Sequence, residues 1–460
     1  MSNKRIVLVG AGSASFGLGT VSGLFGERKA LQGSTLVLVD IDEPSLQTMA
    51  AFVRQANTEL GHPFSVEATA DRREALPGAD FVTISVEKDR WTAWKKDWDI
   101  PIEHGIRHIF GENGGPGGLS HSLRTIQLTL EICRDLEALA PDALVLNYTN
   151  PMSRVCMALT RYTNLRVIGL CHGIADAYEK VGTVMGWVTP DFRSRWAKPG
   201  PNAAQRWAEI SAVAEYLDLQ ACGINHLTFI TDLRDRRTGE DLYSAFRERL
   251  ANSDPHYQPV SKRLHDVFGL YPAQADDHVG EYVSWARNPN QPEALWPLAD
   301  WVPRWVEKEA SLREDLCEAA AGRVPTAKLI ESNQSSHDRA AALMAEVVEG
   351  HTSYELAVNI VNNGCISGLP DWAVVEVPGV VGAYGVKGVS MGALPPGLTA
   401  VLNNQIAIQD RVVEAAVHGD RKAAMQALLL DPVSNHDADE ANAMLEDLLA
   451  AQASHLRLFA

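Results

Sequence analysis

A short apolar strand that runs directly into a glycine-rich turn stands near the start of the chain and constrains its fold most. Arg5–Val9 is apolar and mainly β-branched after its first residue and stops at Gly10, the pattern of a strand buried on both faces. Helical character follows over Phe16–Leu31. A buried strand, a tight turn and a helix in this order predict the first unit of a parallel α/β sheet.

The same alternation continues through the first 195 residues. His121–Leu139 has helical periodicity, and the further buried strands that we predict are Ser34–Val39, Phe64–Thr69, Asp80–Val86, Ala143–Leu146 and Arg166–Leu170. Because strands that alternate with helices form right-handed βαβ units, we predict a Rossmann-type parallel sheet over residues 1–195.

The rest of the chain has a different pattern. We predict a surface linker over Pro190–Arg206, whereas the periodicity of Trp207–Tyr216 does not decide between helix and strand. Buried strands are expected at Cys222–Leu233 and Ala373–Val377, and mostly helix over residues 304–350 and 398–458. The predicted fold class is α/β: the Rossmann-type sheet is followed by a mixed α/β catalytic domain over residues 196–460, as in lactate and malate dehydrogenases.

Composition narrows the function. The 460 residues include 41 Lys and Arg against 58 Asp and Glu, a net charge of −17 that repels nucleic-acid phosphates and anionic lipids. We therefore expect neither nucleic acid nor a membrane among the partners. The apolar run Ile6–Val9 is too short for a signal peptide, and no stretch approaches the ~20 apolar residues of a membrane helix. Six cysteines without paired spacing argue against a disulfide framework and favour a cytoplasmic protein.

The glycine-rich turn has the context of a dinucleotide-binding loop, since it follows a strand and opens a helix. Gly10 permits the tight turn, Gly12 lets the backbone approach a pyrophosphate, and Ser15 replaces the third glycine as a small residue. Asp40 ends the second strand, where a carboxylate accepts ribose hydroxyls and repels a 2′-phosphate, so NAD is favoured over NADP. The alternative is a turn that binds nothing. The expected cofactor-binding residues are Gly10, Gly12, Ser13, Ala14, Ser15, Phe16, Asp40 and Asn147.

Three residues at predicted strand ends suggest a metal site. Cys171 and His172 follow one strand of the sheet, and His226 lies in the separate segment Gly223-Ile-Asn-His226. A thiolate and an imidazole from two strands can bind a divalent ion, with substrate hydroxyls as further ligands. The alternative, a structural cysteine and two hydrogen-bonded histidines, is the more common case for each residue by itself.

Polar residues in two further segments are candidates for contacts with a substrate. Glu112 lies in Gly111–Gly118, which we expect to be too glycine-rich for a helix and to expose amide groups towards a phosphate, a ribose or a sugar; a plain surface turn is the alternative. Asn147 and Asn150 follow a strand end, where amides can orient hydroxyls or simply form the turn before Pro151.

An acidic cluster completes the set of candidates. Asp276, Asp277, His278 and Glu281 follow one another closely, and packed carboxylates raise one another's pKa, as a general base near neutral pH requires. The alternative is a solvated helix start with Asp276 or Asp277 as its N-cap.

These segments, taken in order, resemble glycoside hydrolase family 4, whose members are NAD- and metal-dependent glycosidases. The similarity is greatest to the α-galactosidase, α-glucosidase and α-uronidase branch, because the 6-phosphoglycosidase branch has Asn or Asp where this chain has His172. The segments that carry the resemblance are VLVGAGSASF (7–16), GENGGPGG (111–118), NYTNPM (147–152), GLCHG (169–173), GINH (223–226), DDHVGEY (276–282) and NNGCISGLPDWAVVEVP (362–378).

The resemblance implies hydrolysis of an α-glycoside through oxidation at C3 by NAD, removal of the C2 proton, elimination, addition of water at C1 and return of the hydride. It also implies a divalent metal, usually Mn2+, across the C2 and C3 oxygens, and a homodimer or homotetramer. The implied roles are Cys171 and His226 as metal ligands, His172 as proton donor to the leaving oxygen, Asp277 as base, with Asp276 as the alternative, and Glu112 and Asn150 as substrate contacts.

Other functions and several substrates stay open. A lactate- or malate-type dehydrogenase would need an arginine pair and a His–Asp relay, and we find neither motif. An NAD-sensing scaffold gives little reason for Cys171 and His172 beside His226. The substrate is an α-glucoside or α-galactoside, or one with an anionic C6 group such as an α-glucuronide or α-sulfoquinovoside. Basic residues among tryptophans would bind that anion or form the solvent face of a helix; they are Lys88, Arg90, Lys95, Lys96 and Arg107 beside Trp91, Trp94 and Trp98.

Overall fold

A computed structural model describes residues 3–188, 203–286, 298–333, 339–434 and 436–459, without the side chains of 203–207 and 298–301. The strands are β1 Arg5–Val9, β2 Thr35–Val39, β3 Ser65–Thr69, β4 Phe81–Ile84, β5 Leu144–Asn147, β6 Arg166–Gly169, β7 Leu217–Ile224, β8 Leu227–Asp235, β9 Ser353–Val361, β10 Ile366–Ser367, β11 Val374–Gly382, β12 Gly385–Gly388 and β13 Gly392–Ala393. In this part of the chain, no helix has both the length and the apolar character needed to cross a bilayer.

Helices connect these strands and cover the sheet. They are α1 Phe16–Gly26, α2 Glu43–Glu59, α3 Arg72–Ala75, α4 Arg90–Glu103, α5 Gly115–Leu139, α6 Met152–Tyr162, α7 Ile174–Met185, α8 Ala203–Tyr216, α9 Tyr243–Ala251, α10 Pro259–Phe268, α11 Asp276–Val279, α12 Leu298–Ala320, α13 Thr326–Asn333, α14 Ala340–Glu349, α15 Pro396–His418, α16 Arg421–Leu430 and α17 Ala438–Ala451. The undecided segment 207–216 is therefore helical.

The first six strands form the parallel sheet that the sequence predicts, in the order β3-β2-β1-β4-β5-β6. In the register of this sheet Val9 pairs with Ile84, Ile84 with Asn147 and Asn147 with Gly169. The carboxyl ends of β1, β4, β5 and β6 are thus level, so the loops that follow them meet at one edge. The α/β class with a Rossmann-type sheet is confirmed.

The sheet does not end at β6. It continues through antiparallel strands in the order β6-β9-β11-β7-β8, and β12 pairs with the outer part of β11. The sequence analysis missed β9, whereas the buried-strand character that it predicts over Cys222–Leu233 is confirmed and divided between two strands. That segment is the hairpin of β7 and β8, which turns at Asn225 and His226, where His226 has a φ of +64°. The linker and the boundary at residue 195 lie mostly outside the described residues, and residues 203–206 already belong to α8.

Two apolar cores flank the sheet. In β1, Val7 and Val9 join one core and Ile6 and Leu8 the other, which explains its uninterrupted apolar sequence. The helices α15 and α16, from near the end of the chain, pack against α5 in the first of these cores. All six cysteines lie in the described residues as free thiols, which confirms the expected absence of disulfides.

Candidate active site

The loop after β1 leaves no room for side chains at its glycines. A Cβ at Gly10, whose φ is +92°, would lie 1.9 Å from the carbonyl oxygen of Ser85, and one at Gly12 would lie 2.9 Å from Oδ2 of Asp40. Gly17, two residues after Ser15, makes a further close contact, since a Cβ there would approach the carbonyl oxygen of Ala11 to 2.3 Å. The backbone therefore approaches its neighbours as a dinucleotide-binding loop does.

Asp40 lies directly against this loop. Its Oδ2 accepts a hydrogen bond of 2.8 Å from the amide of Gly12, and its Oδ1 accepts one of 2.9 Å from the amide of Asp42. Within the loop, Ser13 Oγ accepts from the amide of Phe16 at 3.2 Å, and Ala14 is buried. The carboxylate thus lies beside the backbone of the glycine loop, and its contact with ribose hydroxyls stays a prediction.

Cys171 and His226 meet although 55 residues separate them. Cys171 follows β6, His226 forms the turn between β7 and β8, and Cys171 Sγ lies 3.3 Å from His226 Nε2. Two ligands at about 2.0–2.3 Å from one ion, on adjacent coordination positions, are separated by about this distance. Burial raises the pKa of the Cys171 thiol to about 12, so the thiolate that binds a metal requires the cation's own charge.

His172 lies between the glycine loop and this pair. Its ring stacks on Phe16, with centroids 5.8 Å apart and planes 7° apart, and it is tilted against Tyr148 at 6.1 Å. Phe16 begins α1 directly after the glycine loop. The imidazole is therefore held by aromatic contacts beside the predicted cofactor site.

The two neighbouring aspartates face different surroundings. Asp276 accepts hydrogen bonds from the amides of Val260 and Ser261, at 2.7 and 2.8 Å, and from the Ser261 hydroxyl at 2.6 Å. It therefore stabilises the N-terminus of α10 rather than its own helix α11, whose N-cap is Ala275. The alternative of a solvated helix start is wrong, since Asp277 is only 6% exposed. Burial, and not a second carboxylate, is the main cause of the raised pKa of Asp276.

A buried lysine holds the segment that leads to these aspartates. Lys180 Nζ donates to the carbonyl oxygens of Pro272 and Gln274, at 2.8 and 2.5 Å, and to the Ser261 hydroxyl at 3.0 Å. The ammonium group also lies 4.4 Å from the centroid of the Tyr271 ring. Because α7 carries Lys180 and starts three residues after Cys171, the lysine ties the acidic segment to the cysteine loop.

The glycine-rich segment Gly111–Gly118 differs from the prediction. Its last four residues form the first turn of α5. A Cβ at Gly117 would lie 2.7 Å from the carbonyl oxygen of Asp97, and one at Gly118 would lie 2.7 Å from the carbonyl carbon of Asn113, so the close packing of this helix start requires glycine. Its amides do not face solvent. Those of Glu112 and Asn113 donate to Glu281 Oε2 at 2.8 Å each, and that of Gly115 donates to Asp431 Oδ2 at 3.0 Å. Two carboxylates of this chain thus occupy the positive end of α5.

Glu112 itself lies among amides. Its carboxylate accepts from Asn150 Nδ2 at 3.4 Å and from Asn113 Nδ2 at 3.0 Å, and burial raises its pKa. Glu112, His278 and Glu281 present ligand atoms within 4.8 Å of one another, so these three could also hold a cation. His278 stacks on His226, with centroids 4.1 Å apart. His278 therefore lies beside both Glu112, a predicted substrate residue, and His226, a predicted metal ligand.

Asn147 takes up a structural position. Its amide nitrogen donates to the carbonyl oxygen of Thr149 at 3.0 Å, and its Oδ1 accepts from the Thr149 amide at 3.2 Å. The side chain is fully buried, so it shapes the turn, as in the alternative that we considered.

His121 and Glu87 were not among the predicted residues. His121 Nδ1 lies 3.0 Å from the carbonyl oxygen of Glu112, and its Nε2 lies 3.3 Å from Glu87 Oε1. Burial lowers the pKa of His121, but the hydrogen bond and the charge of Glu87 outweigh burial and raise it above the ordinary value. The same pair holds the pKa of Glu87 at about 2 against the effect of its burial.

A buried glutamate beneath the metal pair was also missed. Glu376 on β11 accepts hydrogen bonds from Asn225 Nδ2 at 2.6 Å, Asn359 Nδ2 at 2.9 Å and Gln274 Nε2 at 3.2 Å. Burial raises the pKa of Glu376 above its ordinary value, and the hydrogen bonds from these three amides offset only part of that effect. The signal in the sequence was a single acid inside the apolar strand Val374–Val377.

The basic stretch of α4 divides between two surroundings. Lys95 and Lys96 are exposed and donate to Asp99 and to the carbonyl oxygen of Ala451. Arg90 lies within 5.8 Å of the ring centroids of Trp91, Trp94 and Trp305 and close to the carboxylates of Glu87, at 3.2 Å, and Glu309, at 3.6 Å. Lys95 and Lys96 thus fit the solvent face that was the alternative.

Comparison with known proteins places the chain in a family. The profile of the family 4 glycosyl hydrolases matches residues 5–186, and that of their C-terminal domain matches residues 221–434. The chain is 33% identical to an α-glucosidase of Erwinia rhapontici over 94% of each sequence. It is 28% identical to an α-galactosidase of Bacillus subtilis, with 98% of this chain and 99% of that protein covered.

Solved structures agree with the fold. A 6-phospho-β-glucosidase of Thermotoga maritima, solved with manganese, NAD+ and glucose 6-phosphate, superposes with a TM-score of 0.77 at 22% identity, over 98% of this chain and 99% of that one. A malate dehydrogenase of Cryptosporidium parvum reaches a TM-score of 0.50 at 14% identity, over 90% of this chain and 99% of that one. The chain belongs to family 4 of the glycosyl hydrolases.

Proposed function

We propose that this protein hydrolyses α-glycosides with NAD and a divalent metal, preferably Mn2+, as cofactors. The observation that carries the proposal is the 3.3 Å contact between Cys171 Sγ and His226 Nε2, on the same side of the sheet as the glycine loop and His172. A dehydrogenase of the malate type shares the fold, but the comparisons identify glycosidases over nearly the whole chain.

The residues present fit both cofactors. At Gly10 and Gly12 a side chain would collide with Ser85 or Asp40, so the loop keeps the open backbone that a pyrophosphate needs. Sulfur and imidazole are donors that a borderline divalent ion accepts. The Thermotoga maritima relative was solved with manganese and NAD+, which supports this assignment.

When bound, NAD+ would accept a hydride from C3 of the sugar and return it later, and a divalent ion would make the C2 proton more acidic as a Lewis acid. Cys171 and His226 would hold that ion. Asp277 accepts the C2 proton, because Asp276 is already engaged at the N-terminus of α10. His172, held by Phe16 and Tyr148, donates a proton to the leaving oxygen.

Glu112 and Asn150 orient the sugar. Their side chains are joined by a hydrogen bond of 3.4 Å, long enough to be exchanged for bonds to substrate hydroxyls. The Glu281 carboxylate fixes the backbone beneath Glu112 through two amides. The substrate contact thus rests on a rigid helix start.

A set of four p-nitrophenyl glycosides can identify the group that the substrate carries at C6. The two curated relatives named above are an α-glucosidase and an α-galactosidase, which supports a neutral hexose. An anionic C6 group would need a cation, and Arg90 is the candidate on α4. Its guanidinium already lies beside two carboxylates and three tryptophans, so such a group would have to compete with them. Initial rates with p-nitrophenyl α-glucoside, α-galactoside, α-glucuronide and α-sulfoquinovoside, each with NAD+ and Mn2+, identify the preferred class.

Hydrolysis in D2O tests the mechanism. Removal and return of the C2 proton must place deuterium at C2 of the released sugar, and no net NADH accumulates because the hydride returns to C3. Cys171→Ser should abolish hydrolysis and leave NAD+ affinity near that of the wild type, whereas Asp40→Ala should weaken NAD+ binding about 10- to 100-fold. A product without deuterium at C2, or full activity in excess EDTA, would overturn the proposal.

A further inference from the structure

Glu376 occupies the centre of a row of residues that crosses five strands of the sheet. Partners in this row are Gly169 with Asn359, Asn359 with Glu376, Glu376 with Gly223, and Gly223 with Thr228. Gly169 precedes Cys171 by two residues, and Gly223 precedes His226 by three. The glutamate therefore lies between the two segments that carry the proposed metal ligands.

The carboxylate bonds to each segment around the site. Asn225, which donates to it at 2.6 Å, is the residue directly before His226. Gln274 donates to it at 3.2 Å and also accepts from the amide and hydroxyl of Thr228, at 3.0 and 2.7 Å, so it crosses the same row. Asn359 donates at 2.9 Å and pairs with Gly169 on the strand that leads to Cys171.

These partners require an acceptor at position 376. All three are amide nitrogens, and a carboxylate is an acceptor at both oxygens, whereas a glutamine would direct its own NH2 group at one of these donors. The site is also closed to water, since Glu376 is 1% exposed. A charge in such surroundings acts over a longer distance than one at the surface.

The carboxylate of Glu376 lies beside the segments of both proposed ligands, since it bonds to Asn225 next to His226 and to Asn359, which pairs with Gly169 ahead of Cys171. One thiolate and one neutral imidazole leave a divalent ion with a net charge of +1, and a buried positive charge without compensation is costly. Among the described residues, Glu376 is the carboxylate that accepts hydrogen bonds both from Asn225, next to His226, and from Gln274. Glu376 is thus placed to balance the ion without touching it.

We propose that Glu376 is a positioning residue for the metal: it supplies the negative charge that completes the divalent-cation site and holds Asn225, and with it His226, in the ligating orientation. This inference rests on the proposed function, since it takes Cys171 and His226 as the ligands. Partners of metal ligands of this kind contribute about 10- to 100-fold to metal affinity.

Titration of the metal-free protein with Mn2+, followed by the electron paramagnetic resonance signal of the free ion, tests the inference without any assay of activity. Glu376→Gln should bind Mn2+ about 10- to 100-fold more weakly than the wild type, with unchanged affinity for NAD+. The matched control is Glu355→Gln. Glu355 is equally buried, on the same strand as Asn359, but its carboxylate bonds to Arg339 instead, so this variant should bind Mn2+ as the wild type does.

The outcomes separate the inference from the proposed function. If Cys171→Ser binds Mn2+ as tightly as the wild type, the ligand assignment itself falls. If Cys171→Ser loses the ion while Glu376→Gln keeps wild-type affinity, only the role of Glu376 is refuted. Should Glu376→Gln fail to fold, Glu376→Asp decides: it keeps the charge, so its affinity should lie closer to the wild type than to Cys171→Ser, and a loss as complete as in Cys171→Ser contradicts the inference.

Discussion

The imidazole rings of His226 and His278 lie face to face, with centroids 4.1 Å apart and planes 27° apart. His226 lies at the tip of the hairpin of β7 and β8, in a left-handed backbone conformation with a φ of +64° that non-glycine residues adopt uncommonly. The ring of His278, the residue after Asp277, packs on its imidazole. One contact therefore sets the metal ligand and the proposed base relative to each other.

Removal of this ring should weaken metal binding. We expect His278→Ala to lower Mn2+ affinity by about 10-fold, at the lower end of the range for partners of metal ligands, because His226 loses the surface that orients it. His278→Phe keeps a flat ring and should retain affinity near that of the wild type. Calorimetric titration of the metal-free variants measures both, and equal losses in the two would contradict a role based on stacking.

The two aspartates should respond differently to the same substitution. Asp277→Asn removes the proposed base, so we expect a rate about 10²–10⁴-fold lower, no deuterium at C2 of unreacted substrate recovered from D2O, and unchanged melting temperature. Asp276→Asn disturbs the N-terminus of α10, so it should lower the melting temperature. If Asp276→Asn alone abolished exchange at C2 in a stable protein, the assignment of the base would have to be exchanged.

Lys180→Met tests the support of the acidic segment. The variant keeps the apolar stem but leaves the carbonyl oxygens of Pro272 and Gln274 without their donor, so the segment should shift. We expect kcat to fall by up to about 10²-fold, as a misplaced catalytic group allows, while the affinities for NAD+ and Mn2+ stay within error. The control is Lys262→Met on α10, whose ammonium is partly buried and donates to the carbonyl oxygen of Asp254, outside the acidic segment. A kcat for Lys180→Met equal to that of this control would show that the clamp is dispensable.

The pair of Glu87 and His121 should make stability depend on pH in a defined direction. The folded-state pKa of His121 is raised, so the contribution of the pair is complete below the pKa of an unfolded histidine and is lost as pH rises through the folded value. The pKa of Glu87, about 2, keeps the carboxylate charged throughout the range used.

We therefore expect Glu87→Gln to lower the free energy of unfolding by about 1–3 kcal/mol at about pH 5.5 and by less at about pH 9. The cost is below that of a fully buried pair because 21% of the Glu87 side chain is exposed. Urea unfolding at both pH values measures it. Asp135→Asn, which loses ion pairs to two arginines that do not titrate, is the control and should cost the same at both. A pH-independent loss in Glu87→Gln would refute the charged pair.

The parallel half of the fold is predictable from the sequence because its strands are buried on both faces. Arg5–Val9 and Arg166–Gly169 read as continuous apolar runs, and their observed bounds agree with the prediction within a residue. The sequence analysis missed β9 because its sequence, SYELAVNIV, places polar residues in a buried sheet. Glu355 and Asn359 bond there to partners on other elements, 16 and 17 residues away. The pattern of apolar and polar residues within a strand does not reveal such partners.

The candidate site likewise contains residues that the sequence predicts and residues that it does not predict. Cys171, His172 and His226 could be found because they follow strand ends, and strand ends meet at one edge of the sheet. Glu376, Lys180 and His121 lie inside regular elements, and each acts through partners more than 30 residues away in sequence or through a backbone carbonyl. The glycines at 115–118 misled the prediction because they serve close packing of a helix start, which a composition rule takes for a loop.

The carboxylates at the start of α5 have a consequence for biosynthesis. The amide of Gly114 donates to the carboxylate of Glu281, 167 positions later, and the amide of Gly115 donates to that of Asp431, 316 positions later. A ribosome that has made only the parallel half has therefore not yet made the groups that order the loop bearing Glu112. We therefore expect a chain that ends before Asp431 to lack an ordered Glu112 loop, and so to bind NAD+ without hydrolysing a glycoside.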